Sequence, residues 1–306
     1  MESSTDSATV GLFEARYLAF LETVRHLRAS LHRYCSRMTG SVLDGEDVVQ
    51  DALFHAYRKL DTFEDGRPLE PWLFRIAHNQ CIDFLRRRGV REGAETAAGV
   101  PDSVAPVEPT SPGVDRAIEH LVLALPPKER ACVLLKDVFD YSLEEIADLV
   151  DSTVGGVKAA LNRGRSKLAK LPPAVRASSA RAGQSAEATQ LLNLYVERFN
   201  RRDWDGLREL ITADAHVRVA DRFAGPLSAS PYFGRYERLT TPWQVALGHV
   251  DGEPVVITLR QGVRGWTPDA IVRVESADGH IVRIVDYTHC PWVLSAAGPV
   301  AVAGHA

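Results

Sequence analysis

The sequence predicts a multidomain chain: two all-α domains, the second a helix-turn-helix, followed by an α+β domain. Three observations carry this. Apolar residues recur at helical spacing between cap residues through most of the first 171 positions, and the stretch from Tyr141 to Leu171 splits into two helical patterns over Asp151-Ser152-Thr153. From Ala215 onward β-rich runs take over, with Asp278-Gly279 as a hairpin-type turn between the last two. A chain of 306 residues also exceeds what one core usually holds, so two or three domains are expected.

Composition narrows the class. The formal net charge of -4 excludes a uniformly basic coat protein, so any nucleic-acid binding must come from local patches. The four cysteines, Cys35, Cys81, Cys132 and Cys290, lie far apart without a CxxC pair, which points away from a disulfide framework or zinc knuckle and toward a reducing cytoplasm. His32 and Cys35 have ligand-like spacing but no second pair, so no metal is implied, and no cofactor pattern stands out. No apolar run reaches membrane-spanning length, and MESSTDSATV lacks the basic start and apolar core of a signal peptide. The expectation is a cytoplasmic chain with no membrane contact.

Taken in order, the first helix runs from Leu12 to Met38 and closes at Thr39-Gly40. Asp44-Gly45-Glu46-Asp47 opens a second, with Val48, Val49, Ala52, Leu53, Ala56 and Tyr57 facing a core and Glu46, Asp47 and Asp51 favouring its positive end. After a loop from Asp61 to Pro71 comes WLFRIAHNQCIDFLRRRGVR, a helix that turns basic at Arg86, Arg87, Arg88 and Arg91. Its Trp72, Phe74 and Phe84 fit either stacking on unpaired bases or packing in a core. Residues Glu92 to Pro112 carry four acids and no base among Ala, Pro and Gly, the composition of a linker. A helix from Asp115 to Leu125 follows, then Pro126-Pro127 starts the next, and Ala131 to Val138 is nearly all apolar.

Ser142 and Glu145 form a capping box for the first helix of the helix-turn-helix. In the second, Val157, Leu161 and Leu168 point inward while Lys158, Asn162, Arg163, Arg165 and Lys167 stay outside, with no acid among them. A helix pressed against phosphates has this pattern, and so does a solvated basic helix end.

The run RMTGSVLDGEDVVQDALFHAYRKLDTF…PWLFRIAHNQCIDFLRRR, with LPPKERACVLLKDVFDYSLEEIADLVDSTVGGVKAALNRGRSKL, resembles the extracytoplasmic-function sigma factors of bacterial RNA polymerase. The resemblance covers roughly Leu12 to Leu171 and implies roles at matching positions. Asp47, Gln50 and Asp51 match the surface that docks on the clamp helices of the polymerase's largest subunit. Trp72, Arg75, Asn79, Arg86, Arg87 and Arg88 match the part that captures a flipped base of the −10 element and holds melted promoter DNA. Thr153, Gly155, Lys158, Asn162, Arg163 and Arg165 match the reader of the double-stranded −35 element. Gly155 and Gly156 cost an isolated helix about 1 kcal/mol each, which close approach to DNA would offset. The family commonly has arginine where His78 and Ala160 stand, implying a missing charge contact at the first and a weaker or altered −35 contact at the second. The acidic linker matches a segment that runs through the polymerase's RNA channel.

The third unit follows a second linker. LLNLYVERFNRRDWDGLRELITADAHVRV resembles the opening of the SnoaL-like family, a nuclear-transport-factor-like cone with an internal pocket. The expected strands are Ala215 to Ala220, Val255 to Arg260, Ala270 to Glu275 and Ile281 to Thr288, in a curved antiparallel sheet. Tyr232, Trp243, Trp266 and Asp286 are the candidate pocket residues, and Asp286 is either a buried acid able to act as a base or, with no visible partner, a solvated carboxylate. The domains are read as 10–91, 114–171 and 188–293, with linkers at 92–113 and 172–187 and a disordered tail at 294–306. Two functions from different classes remain: a promoter-specificity subunit regulated in cis by its cone, or a cone that does acid/base chemistry on, or binds, a small molecule. A dimeric repressor leaves the first domain unexplained.

Overall fold

The computed structural model describes residues 3–63, 68–97, 122–170, 186–220, 222–263, 265–298 and 300. The helix expected to begin at Asp115, both linkers over most of their length, and the last six residues lie outside these. Two compact units result, one helical and one built on a sheet.

In the helical unit, α1 (Ser3–Thr39) ends where its sequence predicts, at Gly40 with φ +81. α2 (Val42–Arg58) starts slightly earlier than expected because Ser41 caps it, accepting the Asp44 N–H at 3.2 Å. That shift changes the role of Glu46. It lies beyond the dipole-favoured end, fully buried, paired with Arg28 of α1 and accepting from Gln50 Nε2 at 3.0 Å. Tyr57, expected in the core, is 46% exposed and meets Tyr17 edge-on at 5.8 Å. α3 (Leu69–Ala97) packs on both helices through Leu73, Phe74, Ala77 and Cys81.

The second helical half comprises α4 (Pro127–Asp137), α5 (Leu143–Leu149) and α6 (Val154–Lys170). Pro127 opens α4 and the Ser142–Glu145 capping box opens α5, both as predicted. Asp151, with φ +48, makes the turn, and Thr153 accepts the Gly156 N–H at 3.0 Å to start α6. A Cβ on Gly156 would lie 2.7 Å from Ser152 Oγ, so a side chain there would displace the Ser152 hydroxyl, whereas one on Gly155 would meet only Thr153 Oγ1 at 3.9 Å.

Both helical halves share one contiguous core. Phe139, after α4, meets Tyr34 at 5.9 Å, Phe74 at 5.8 Å and the Arg33 guanidinium at 4.9 Å. Buried Arg130 donates to the carbonyls of Met38, Val122, Leu123 and Leu125, tying the end of α1 to the start of α4.

The second unit contains α7 (Ala186–Asn200), α8 (Trp204–Glu209), β1 (Ile211–Val219), β2 (Phe223–Pro226), α9 (Tyr232–Glu237), β3 (Trp243–Val250), β4 (Glu253–Gly262), β5 (Gly265–Ala277), β6 (His280–Asp286) and α10 (Pro291–Ala297). Its six strands are ordered β2-β1-β6-β5-β4-β3. β1 pairs with β6 in parallel, so the sheet is mixed and not purely antiparallel as expected, because the chain reaches β6 only after a long crossing from β1. Leu191, Tyr195 and Phe199 of α7, with Tyr232, Phe233 and Tyr236 of α9, pack on the face that carries Val217, Val245, Val256, Val272 and Ile284. Ser295 to Ala297, expected to be disordered, form the end of α10, whose Val293 and Ala297 are buried.

The closest helix approach sets a stability test. A Cβ on Gly45 would lie 2.5 Å from the Ser36 backbone nitrogen, so Gly45→Ala should cost the helical unit about 3 kcal/mol, read as a lower urea midpoint at unchanged m-value.

Candidate polymerase and nucleic-acid interface

Three groups of predicted residues map onto the helical unit. On α2, Asp51 is exposed while Asp47 and Gln50 are half-buried, and all three fall on one side at helical spacing with exposed Phe54. The buried Arg28–Glu46 pair beneath holds Gln50 in place.

On α3, Trp72, Arg75, Asn79 and Arg86 fall on one stripe, with Arg75, Asn79 and Arg86 exposed. Trp72 is half-buried against Phe63 at a 4.6 Å ring separation, so part of its face remains open. Phe74 is core, 1% exposed, which resolves the stacking-or-core alternative for that ring. Arg86 pairs with Asp83 at 3.1 Å, Arg87 is exposed, and Arg88 turns inward to the Thr39 carbonyl at 3.4 Å, away from the stripe. His78 points into the core beside the stripe. It is 6% exposed, shares a 2.9 Å hydrogen bond with Tyr34, and burial pushes its pKa down to about 4. Ala160 on α6 is likewise fully buried, so its small size serves the core and removes nothing from the outer face.

On α6, Thr153, Gly155, Lys158, Asn162, Arg163 and Arg165 are all exposed. They differ in their partners. Lys158 and Asn162 face outward at i,i+4 spacing, while Arg163 contacts Glu129 at 3.1 Å and Arg165 grips Asp137 through two bonds of 3.2 and 2.5 Å. These acids, 28 and 34 residues away in sequence, escaped sequence reasoning.

In the α+β unit, Asp286 is fully buried, which overturns the solvated-carboxylate reading. Its Oδ2 accepts from Tyr232 and Tyr236 hydroxyls at 2.9 Å each and from Arg235 at 2.5 Å, while Oδ1 accepts from the Thr288 N–H at 2.8 Å and hydroxyl at 2.5 Å. Burial raises the Tyr232 and Tyr236 pKa values, with the Asp286 charge adding to the effect. The structure thus brings Tyr232 and Asp286 together, places Trp243 against Tyr236 at a ring separation of 5.1 Å, and leaves Trp266 apart. Trp266 is 37% exposed near the β4–β5 turn, because the long hairpin carries it beyond the covered part of the sheet, and Tyr232 is core. Trp243 instead borders an open cleft of about 410 Å³ with Arg202, Trp204 and Tyr236, and Arg202 lies 3.4 Å above its ring. Among the described residues no group of three His, Cys, Asp or Glu side chains could hold a metal, and no helix is long and apolar enough to cross a membrane.

Comparison with known proteins identifies the family. The Sigma-70 region 2 model matches residues 23–91 and the Sigma-70 region 4 model matches 115–168. The ECF RNA polymerase sigma factor SigG of Mycobacterium tuberculosis is 32% identical over 284 residues, covering 83% of this chain and 73% of SigG. SigW of Bacillus subtilis is 34% identical over 164 residues, covering 50% of this chain and 88% of SigW. Among solved structures, M. tuberculosis SigJ aligns at a TM-score of 0.35 and 17% identity, covering 87% of this chain and 95% of that one. The chain belongs to the ECF sigma factor family of bacterial RNA polymerase. It is accordingly an alternative sigma factor that regulates transcription, a class that is not enzymatic.

Two outcomes follow from the buried groups. Asp286→Ala should destabilise the α+β unit by about 4 kcal/mol through the stranded Arg235, seen as early loss of tryptophan fluorescence, since Trp204, Trp243, Trp266 and Trp292 all lie there. For His78 the unfolded chain takes up a proton near pH 6.5 and the folded chain only near 4, so stability is intact above 6.5 and falls with acid by up to about 1.4 kcal/mol per pH unit. His78→Gln should remove that part of the slope in urea titrations between pH 6.5 and 4.

Proposed function

We propose that this sigma factor docks on the clamp helices of the polymerase core through Asp47, Gln50 and Asp51, reads the −35 element with α6, and holds melted −10 DNA along α3. The observation that carries the reading is the pair of outward stripes on one helical unit: Trp72, Arg75, Asn79 and Arg86 on α3, and Gly155, Lys158 and Asn162 on α6. An aromatic ring beside bases suits unpaired strands, because any base can stack while arginines follow the backbone. A polar stripe behind a capped helix start suits base edges in a major groove. Arg87 and Arg88 add to the basic stretch of α3, with Arg88 free to serve DNA only after leaving the Thr39 carbonyl.

The α+β unit supports regulation in cis better than catalysis. A general base needs a lone pair that can reach substrate, and both oxygens of Asp286 are already saturated by protein donors. The open cleft beside Trp243 keeps a small-molecule ligand as the second reading, favoured by its aromatic and arginine lining.

Reconstitution tests both readings. A chain ending at residue 185 should still bind core polymerase but give an altered run-off yield, and full-length chain that neither binds core nor supports run-off on any promoter of its own genome would refute the assignment. Asn79→Ala with Arg75→Ala should slow promoter opening, followed by permanganate reactivity, by about tenfold or more without loss of core binding.

A further inference from the structure

The second helix of the helix-turn-helix carries five bases, Lys158, Arg163, Arg165, Lys167 and Lys170. Three of them are held by acids of α4. Glu129 takes Arg163 at 3.1 Å and Lys167 at 2.8 Å, and Asp137 takes Arg165 in a two-bond grip. Gly164 lies at the contact between the two helices. A Cβ there would lie 2.9 Å from a Val133 methyl, so glycine lets α6 lie close to α4 without displacing Val133.

The grip is asymmetric. The Glu129 side chain is 7% exposed, and the Lys167 ammonium, then the Arg163 guanidinium, holds its carboxyl below the usual carboxylate range. Asp137 is 38% exposed, and its bonds raise the Arg165 guanidinium further. Lys158, more than one turn nearer the helix start, has no such acid among the described residues, and Asn162, just before Arg163, is exposed.

We propose that Glu129 and Asp137 are positioning residues for −35 recognition: by fixing Arg163, Arg165 and Lys167 against α4 they leave base reading to Lys158 and Asn162. This rests on the reading of α6 as the DNA-facing helix. A base already neutralised by a protein carboxylate releases few counterions on binding, so the salt dependence of binding should come from Lys158. It also cannot swing to a phosphate out of register, which limits binding to wrong sequences.

The test uses full-length chain assembled with polymerase core. The probes are a duplex selected by that holoenzyme from a random library and a scrambled duplex of the same composition, with binding measured across a salt series. Lys158→Ala should lower the slope of log K against log salt by about 0.9. Glu129→Gln and Asp137→Asn should each steepen it and reduce the ratio of selected to scrambled binding by about tenfold, the size of one lost base contact. Unchanged slopes in both acid variants would overturn the proposal. So would equal gains on both duplexes, which is what removal of a repelling charge alone produces. Asp137→Asn alters a half-exposed side chain and therefore carries the test alone if the Glu129 variant fails to fold. A Lys158→Ala slope equal to that of the unaltered chain would instead overturn the DNA-facing role of α6 and leave the ion pairs as a separate fact.

Discussion

The helical unit depends on one buried cation. Arg130 enters the seam between its two halves and donates to the carbonyls of Met38, Val122, Leu123 and Leu125. A guanidinium suits this place because it spreads five donors in a plane and stays charged even though burial lowers its pKa. With that seam sealed, Phe139 can sit between Tyr34 and Phe74. The positions of α3 and α6 are consequences of this joint.

The polar groups of the α+β unit obey the same accounting with the opposite sign. Asp286 is a buried anion surrounded by donors from α9 and from Thr288, and the three neighbouring tyrosine and arginine groups all come from a single short helix. Tyr232, Arg235 and Tyr236 lie at i,i+3,i+4 spacing, the one local signal that could have paired them with an acid.

Legibility in the sequence follows the range of each interaction. The capping box of α5, the glycine end of α1 and the Asp278-Gly279 turn were all readable, because each is complete within a few residues. β3 escaped although Asp251-Gly252 repeats the same turn signal with φ +51 and +79. The parallel pairing of β1 with β6, the Arg28–Glu46 pair and the Asp286 cluster were not readable, since their partners are brought together only by the fold. The outward bases of α6 could be read from helical spacing, the α3 stripe was reached only through the family resemblance, and the acids behind α6 sit on another element.

All four cysteines, Cys35, Cys81, Cys132 and Cys290, are at most 1% exposed. They behave as small apolar fillers, and burial raises the pKa of Cys35 and Cys132, keeping the reactive thiolate scarce. The native chain is thus a nearly blank background for thiol-reactive dyes. A single cysteine placed at an exposed site could carry a fluorophore through transcription initiation without the native sulfurs being removed first.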